Sequence, residues 1–181
     1  FQDAEGNNCI QTDNHLGELA EGCIAGWIHH HRGMTALLAP TVTSYLRLEP
    51  ASLSGYWANW AIDHRNVTTR ISSEKGERAR LEHRTADFTA NPYTAVATLL
   101  QAAKLGVEKK YPLPPAETKD CFEEHDATVS TPETLSEALE ELEKDSPLTT
   151  AVGQELVDNL IFMKNAEVDK TKHLEGDGLR D

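Results

Sequence analysis

The amino-acid sequence predicts an α+β fold, a short mixed or antiparallel sheet followed by several helices. Three observations carry that prediction. Residues 59–62 and 66–71 are rich in the aromatic and β-branched side chains that strands favour. Residues 78–85 alternate charged with other residues at the two-residue period of a strand. The strand candidates are followed by several segments with helical apolar spacing, which is an α+β arrangement.

Taken in order, residues 1–14 read as a turn-rich lead-in punctuated by Gly6-Asn7-Asn8. From about Asp13, with Asp13 or Asn14 as the cap, Leu16, Leu19, Ala20, Cys23 and Trp27 take helical spacing. Residues 29–39 continue that helix or form a second one, which Pro40 ends. After the strand region, Asn91 and Pro92 are a natural cap and first residue of a helix. Val96, Leu99, Leu100 and Ala103 make its expected buried stripe and Gly106 its expected stop. Tyr111-Pro112-Leu113-Pro114-Pro115 must run extended, because proline rings exclude the helix. Thr131-Pro132 starts a further helix with Leu135, Leu139 and Leu142 on its apolar side. A last helix carries Val152, Leu156, Val157, Leu160 and Ile161, with a polar, frayed tail from Ala166.

A chain of 181 residues, 39% hydrophobic, suits one globular domain or a large part of one. The formal net charge of -13 repels phosphate backbones and argues against general nucleic-acid binding. The longest apolar stretches, such as 95–100, are too short to span a bilayer, so no membrane association is expected. No charged segment followed by an apolar run opens the chain, so no signal peptide is expected. Cys9, Cys23 and Cys121 are odd in number and widely spaced, which predicts neither a disulfide framework nor a zinc site and suits a reducing, cytoplasmic setting.

The charge is uneven. Residues 117–145 hold eleven acids against Lys119 and Lys144, whereas five of the eight arginines fall within 65–84. A positive island in an acidic protein points to a local anionic ligand. Within it, strand alternation puts Arg78, Arg80, Glu82 and Arg84 on one face, and Ala79, Leu81 and His83 on the other. One reading is a solvated edge strand whose charges prevent aggregation. The other is a phosphoryl-transfer surface, since guanidinium groups grip carboxylates and phosphates and a carboxylate among them suits a divalent cation.

Four blocks then carry a family resemblance. Ala90-Asn91-Pro92-Tyr93, shortly after Arg80-Leu81-Glu82-His83-Arg84 and Asp87, resembles the glutamine synthetase signature. Ala39-Pro40-Thr41-Val42-Thr43-Ser44-Tyr45-Leu46-Arg47-Leu48, His64-Arg65-Asn66 with Arg70, and Tyr111-Pro112-Leu113-Pro114-Pro115 resemble further segments of that family, in its order and near its spacing. The resemblance implies the C-terminal portion, residues 1–181, of a glutamine-synthetase-type catalytic domain. The metal-binding glutamates and an "HVHxS"-like segment are expected N-terminal to Phe1. It implies a cytoplasmic enzyme of nitrogen metabolism that phosphorylates the γ-carboxylate of glutamate with ATP, using Mg or Mn. Ammonia or a small amine then displaces the phosphate, as in glutamine synthetase or a glutamate–amine ligase such as γ-glutamylmethylamide synthetase. The intact parent is expected to form a homo-oligomer of stacked rings, and the chain alone to be inactive.

By position, the resemblance makes Glu82 a metal ligand and gives Arg47 and Arg84 to glutamate. Arg65 and Arg70 become the ATP-phosphate and transition-state arginines, with Arg65 catalytic. Arg80 lies near the nucleotide, and Arg78 substitutes for a lysine usual before the basic strand. The family's flap glutamate falls on Leu53, with Glu49 the nearest acid. The rival reading is a non-catalytic binding or assembly module of the same type.

Other features are structural by default. Consecutive His29-His30-His31 cannot converge on one metal ion from a helix, and at least one should face the core. His64 could line the site or simply end a strand. Trp57 and Trp60 read as core, the acidic run 133–145 as a solvated helix face, and Tyr111 as an unmodified loop aromatic, although it aligns with a tyrosine adenylylated in some bacterial members.

Overall fold

The computed structural model describes residues 2–12, 15–53 and 55–174. Strands β1 (Gln11–Thr12) and β2 (His15–Leu16) pair antiparallel, so Leu16 enters the core from a strand rather than from the first helix. Helix α1 (Glu18–His29) begins after Gly17, and the expected caps Asp13 and Asn14 lie outside the described residues. Helix α2 (His31–Leu38) is separate from α1 and stops before Pro40, as the proline demands. A 3-10 turn, Val42–Leu46, follows, closed by reciprocal bonding of Thr41 and Ser44.

The sheet is mixed. Strand β3 (Trp60–Ile62) runs parallel to β4 (Thr69–Ile71), and β4 runs antiparallel to β5 (Leu81–His83). The short loop 63–68 has to double back for β3 and β4 to run parallel, and Asp63 takes the left-handed conformation, φ 51°, to begin that reversal. The strand expected over 78–85 is shorter than its pattern. Residues Gly76–Arg78 form a 3-10 turn, which removes Arg78 from the strand face on which alternation placed it. Its side chain is 81% exposed and pairs with Glu74 at 3.9 Å.

Helix α3 (Pro92–Lys109) starts as expected: the Asn91 side chain accepts the N–H groups of Tyr93 and Thr94 at 3.0 and 3.4 Å. Its buried face is displaced from the expected stripe. A Cβ on Gly26 would stand 2.1 Å from the Ala102 carbonyl oxygen, and one on Gly106 2.1 Å from that of Gly22. Helices α1 and α3 therefore meet backbone to backbone, a seam that admits only small residues. Ala102 and Gly106 lie in it, and Ala95, Thr98 and Ala103 are also buried, whereas Val96 and Leu100 are 56% and 50% exposed. Gly106 is thus a contact residue and not the stop; Lys110, left-handed at φ 53°, caps the helix.

Residues 111–118 lie in neither helix nor strand, in keeping with their prolines. Helix α4 (Leu135–Lys144) begins later than Thr131-Pro132: its cap is Thr134, which accepts the Glu137 N–H at 3.1 Å. The single last helix expected is two, α5 (Ser146–Val152) and α6 (Gln154–Thr171), parted at Gly153, where φ is 121°. Helix α6 continues past Ala166 to Thr171, so the polar tail is helical that far.

The main core joins Leu37, Leu38, Leu135, Leu139, Leu142, Leu148 and Val157 with Trp27, Tyr45 and Leu48. Each such leucine, fully buried, stabilises the fold by about 1.5–3 kcal/mol. On its other side α1 places Ile24 against Trp60 and Ile71, so the sheet has one face on the helix. None of the helices is long and apolar enough to cross a membrane, among the described residues.

Candidate active site

Register decides which strand residues share the outer face. Thr69 opposes His83, Arg70 opposes Glu82 and Ile71 opposes Leu81. Ile71 and Leu81 face the core, and His83 lies against Trp27 with ring centroids 5.5 Å apart. Burial, and then His31, press His83 down to about 3, so it stays neutral. Arg70 and Glu82 consequently point the other way.

On that face Glu82 is held between two guanidinium groups. Arg84 Nη1 donates to Glu82 Oε1 at 2.5 Å, and Arg70 Nη1 lies 3.9 Å from Glu82 Oε2. Arg84 also donates to the Leu53 carbonyl at 2.9 Å. Arg70 reaches back to Asp63; this bond, with a smaller contribution from Arg65, holds the Asp63 carboxyl below the usual range. Arg47 donates to the Thr85 carbonyl at 2.6 Å and stands 4.0 Å from Asp87. Burial works to raise the Asp87 carboxyl, but Ser44, Thr89 and Arg47 outweigh it and leave it lowered. Arg47 and Asp87 line a pocket with Thr41, Ser44 and the fully exposed Phe88.

Of the residues read from the sequence, Arg65, Arg70, Glu82 and Arg84 therefore fall along β4, β5 and their flanking loops, and Arg47, at the end of the 3-10 turn Val42–Leu46, reaches them through the Thr85 carbonyl. Arg80 keeps the parity of Glu82, but its guanidinium turns to Ser72, at 3.1 Å, and to Glu74. Arg78 and Arg80 thus share Glu74 and stand apart from the group around Glu82. The Nε atoms of Arg70 and Arg84 are buried without an acceptor. A surface with this surplus of guanidinium donors fits an anionic ligand. Glu82 fits one position in a divalent cation's oxygen shell. Among the described residues, no group of three or more His, Cys, Asp or Glu is placed to hold a metal ion.

The histidine triplet is structural, as its spacing implied. His30 and His31 are each 1% exposed. His30 Nδ1 lies 2.7 Å from Asp145 Oδ2. The Thr131 hydroxyl gives its one proton to the Tyr56 carbonyl at 2.7 Å, so His31 Nε2, 2.8 Å away, is the donor to Thr131. His29 stacks on Tyr111 with centroids 3.8 Å apart. Trp60 is buried and donates to the Pro114 carbonyl at 2.8 Å, while Trp57 stacks on His125. Sequence reasoning missed Asp63 and Glu117, which brace the arginines directly or through loops. Only their acidity marked them, and acids are common in this chain.

The family model described as "Glutamine synthetase, catalytic domain" matches residues 1–177. A glutamine synthetase of Methanocaldococcus jannaschii is 35% identical over 175 residues, covering 93% of this chain and 37% of that protein. Ligand-free GmaS superposes with a TM-score of 0.84 at 28% identity, over 98% of this chain and 41% of GmaS. The GmaS/ADP complex superposes with a TM-score of 0.83 at 27% identity, over 98% of this chain and 42% of that one. The chain thus spans less than half the length of the relatives it matches.

Proposed function

Because the chain belongs to the glutamine synthetase family, through its catalytic domain, we propose that its parent is an ATP-dependent ligase joining ammonia or a small amine to the γ-carboxylate of glutamate. Residues 1–181 form the C-terminal portion of that catalytic domain. The observation that carries this reading is Glu82 set between Arg70 and Arg84 on one sheet face. The likeness to GmaS, a γ-glutamylmethylamide synthetase with a structure in complex with ADP, supports a nucleotide and an amine as ligands of the same surface.

Each residue has a role its chemistry suits. Glu82 would hold Mg or Mn together with ligands from outside this chain, and the cation would supply positive charge for the phosphate oxygens. Arg84 and Arg47 grip glutamate carboxylate oxygens, for which a planar guanidinium is shaped. Arg65 and Arg70 hold ATP phosphates and stabilise the charge that develops as the γ-phosphoryl group moves to glutamate. Arg80 and Arg78 serve the nucleotide side, each exchanging Glu74 for an anionic oxygen. One carboxylate does not bind a cation tightly, so the chain alone is expected to turn over no substrate. The parent works as a cytoplasmic homo-oligomer.

A second reading, a non-catalytic assembly module, is favoured by one observation. Tyr93, Val96 and Leu100 leave an apolar stripe of α3 exposed, at 86%, 56% and 50%. Phosphate release by the full-length protein separates the two. Release that needs glutamate, ATP, a divalent cation and either ammonium or methylamine, and that Arg65→Ala suppresses, supports the ligase. No release with either amine leaves the assembly module.

A further inference from the structure

Arg65 is exposed on loop 63–68, and both of its neighbours are tied to a second loop, 117–126. His64 Nδ1 accepts the Asn66 N–H at 3.1 Å, which leaves Nε2 to donate to the Lys119 carbonyl at 2.9 Å. The Asn66 side chain, in a residue 8% exposed, donates to the Asp120 carbonyl at 2.7 Å. Two consecutive carbonyls therefore grip the residues on either side of Arg65.

What shapes those carbonyls is Glu117, which is 5% exposed. Its Oε1 accepts the N–H groups of Thr118 and Lys119, both at 3.1 Å. Its Oε2 accepts the Asp126 N–H at 2.9 Å and the Asn59 amide at 3.1 Å. The Asn59 Oδ1 in turn accepts the Thr68 N–H at 3.2 Å, at the far end of the loop that carries Arg65. A buried carboxylate is costly unless its oxygens are satisfied, and here four N–H donors satisfy them. Burial pushes the Glu117 carboxyl up, and these donors outweigh it and leave it below the usual range.

We propose that Glu117 is a positioning residue: it folds loop 117–126 so that the Lys119 and Asp120 carbonyls clamp His64 and Asn66 and aim Arg65 at nucleotide phosphate. The proposal rests on the reading of Arg65 as a phosphate-binding arginine. It goes beyond that reading by naming what sets the direction of the guanidinium.

The test is a double-mutant cycle in the full-length protein, read by ADP affinity, kcat and the KM for glutamate. Glu117→Gln puts an amide donor against two existing donors. It is expected to lower ADP affinity and kcat about tenfold, the scale of one charge-assisted hydrogen bond, with the KM for glutamate unchanged. In an Arg65→Ala background the same substitution is expected to change nothing further. An equal loss in both backgrounds makes Glu117 a general support of the fold and overturns the positioning role alone. Arg65→Ala without effect on ADP affinity or kcat overturns the reading of Arg65 and the proposal with it. If Glu117→Gln does not fold, Asn66→Ala, which breaks only the Asp120 clamp, takes its place with the same expectations.

Discussion

Arg70 and Glu82 face each other in register across β4 and β5, and Glu82 is shared with Arg84, just past the end of β5. The pair is only partly buried, with side chains 25% and 39% exposed. Ion pairs so open to water contribute about 0–1 kcal/mol. Arg70→Ala is therefore expected to leave the thermal midpoint of the chain nearly unchanged while removing most ATP-dependent turnover from the full-length protein. A large loss of stability with turnover retained would make the pair structural.

Arg84→Ala is expected to act mainly on glutamate. Losing a bidentate charge-assisted contact costs about 1.5–3 kcal/mol, or roughly ten- to a hundredfold in the KM for glutamate. Steady-state kinetics at varied glutamate and fixed ATP checks this; a change confined to the KM for ATP would reassign the residue.

The α1–α3 seam makes a prediction independent of function. Gly106→Ala places a methyl group where the Gly22 carbonyl oxygen would be 2.1 Å away, so the helices must separate. Overpacking of this kind costs about 1–3 kcal/mol. Urea unfolding of the chain should show it as a lowered midpoint with an unchanged slope, whereas Gly76→Ala, which meets nothing within 4 Å but has φ 62°, isolates the separate cost of backbone strain.

His31 gives the chain a defined acid sensitivity. It is buried and neutral, with its pKa pressed from 6.5 to about 4 by burial first and Arg32 second. Between those values the unfolded chain binds the proton and the folded chain does not, so protons favour unfolding as pH falls. Stability is full above pH 6.5 and is lost on the way down to about 4, by as much as roughly 3 kcal/mol. Thermal melts from pH 7 to pH 4.5 should show a falling midpoint, with a shallower fall for His31→Gln. Parallel pH profiles would contradict the assignment.

By the family resemblance, Leu53 is expected to take the place of a flap glutamate. Its side chain is 61% exposed and its carbonyl accepts from Arg84 at 2.9 Å. An uncharged flap position removes a partner for the ammonium ion, while a methyl group on the amine recovers about 0.8 kcal/mol by apolar contact. The full-length protein is therefore expected to accept methylamine at least as well as ammonium, and Leu53→Glu to shift kcat/KM toward ammonium. A strong preference for ammonium that Leu53→Glu leaves unaltered would show that this position does not choose the amine.

Much of this architecture was legible because local chemistry agrees with the fold. Asn91-Pro92 can hardly be anything but a helix start, and Pro40 a stop. The outward face of Glu82 follows from strand parity once β5 is recognised, whereas its pairing with Arg70 depends on the β4–β5 register, which parity does not give. The α3 stripe was misread because periodicity rewards large apolar residues, whereas the seam with α1 selects small ones; Gly22 and Gly26 on the partner helix were the available signal. Arg78 was misplaced because its alternation continues through Gly76–Arg78, where the backbone already turns. Loop 117–126 was opaque, since its order depends on Asn59, Glu117 and Asn66 meeting across distant segments.

The most direct measurement is the divalent-cation dependence of γ-glutamyl transfer by the full-length protein and its Glu82→Ala variant, with glutamate, ATP and methylamine or ammonium. The account predicts ATP-dependent product from the unaltered protein. For Glu82→Ala it predicts loss of turnover, recovered only in part at far higher Mg or Mn. Normal turnover by Glu82→Ala with an unchanged cation requirement would contradict it.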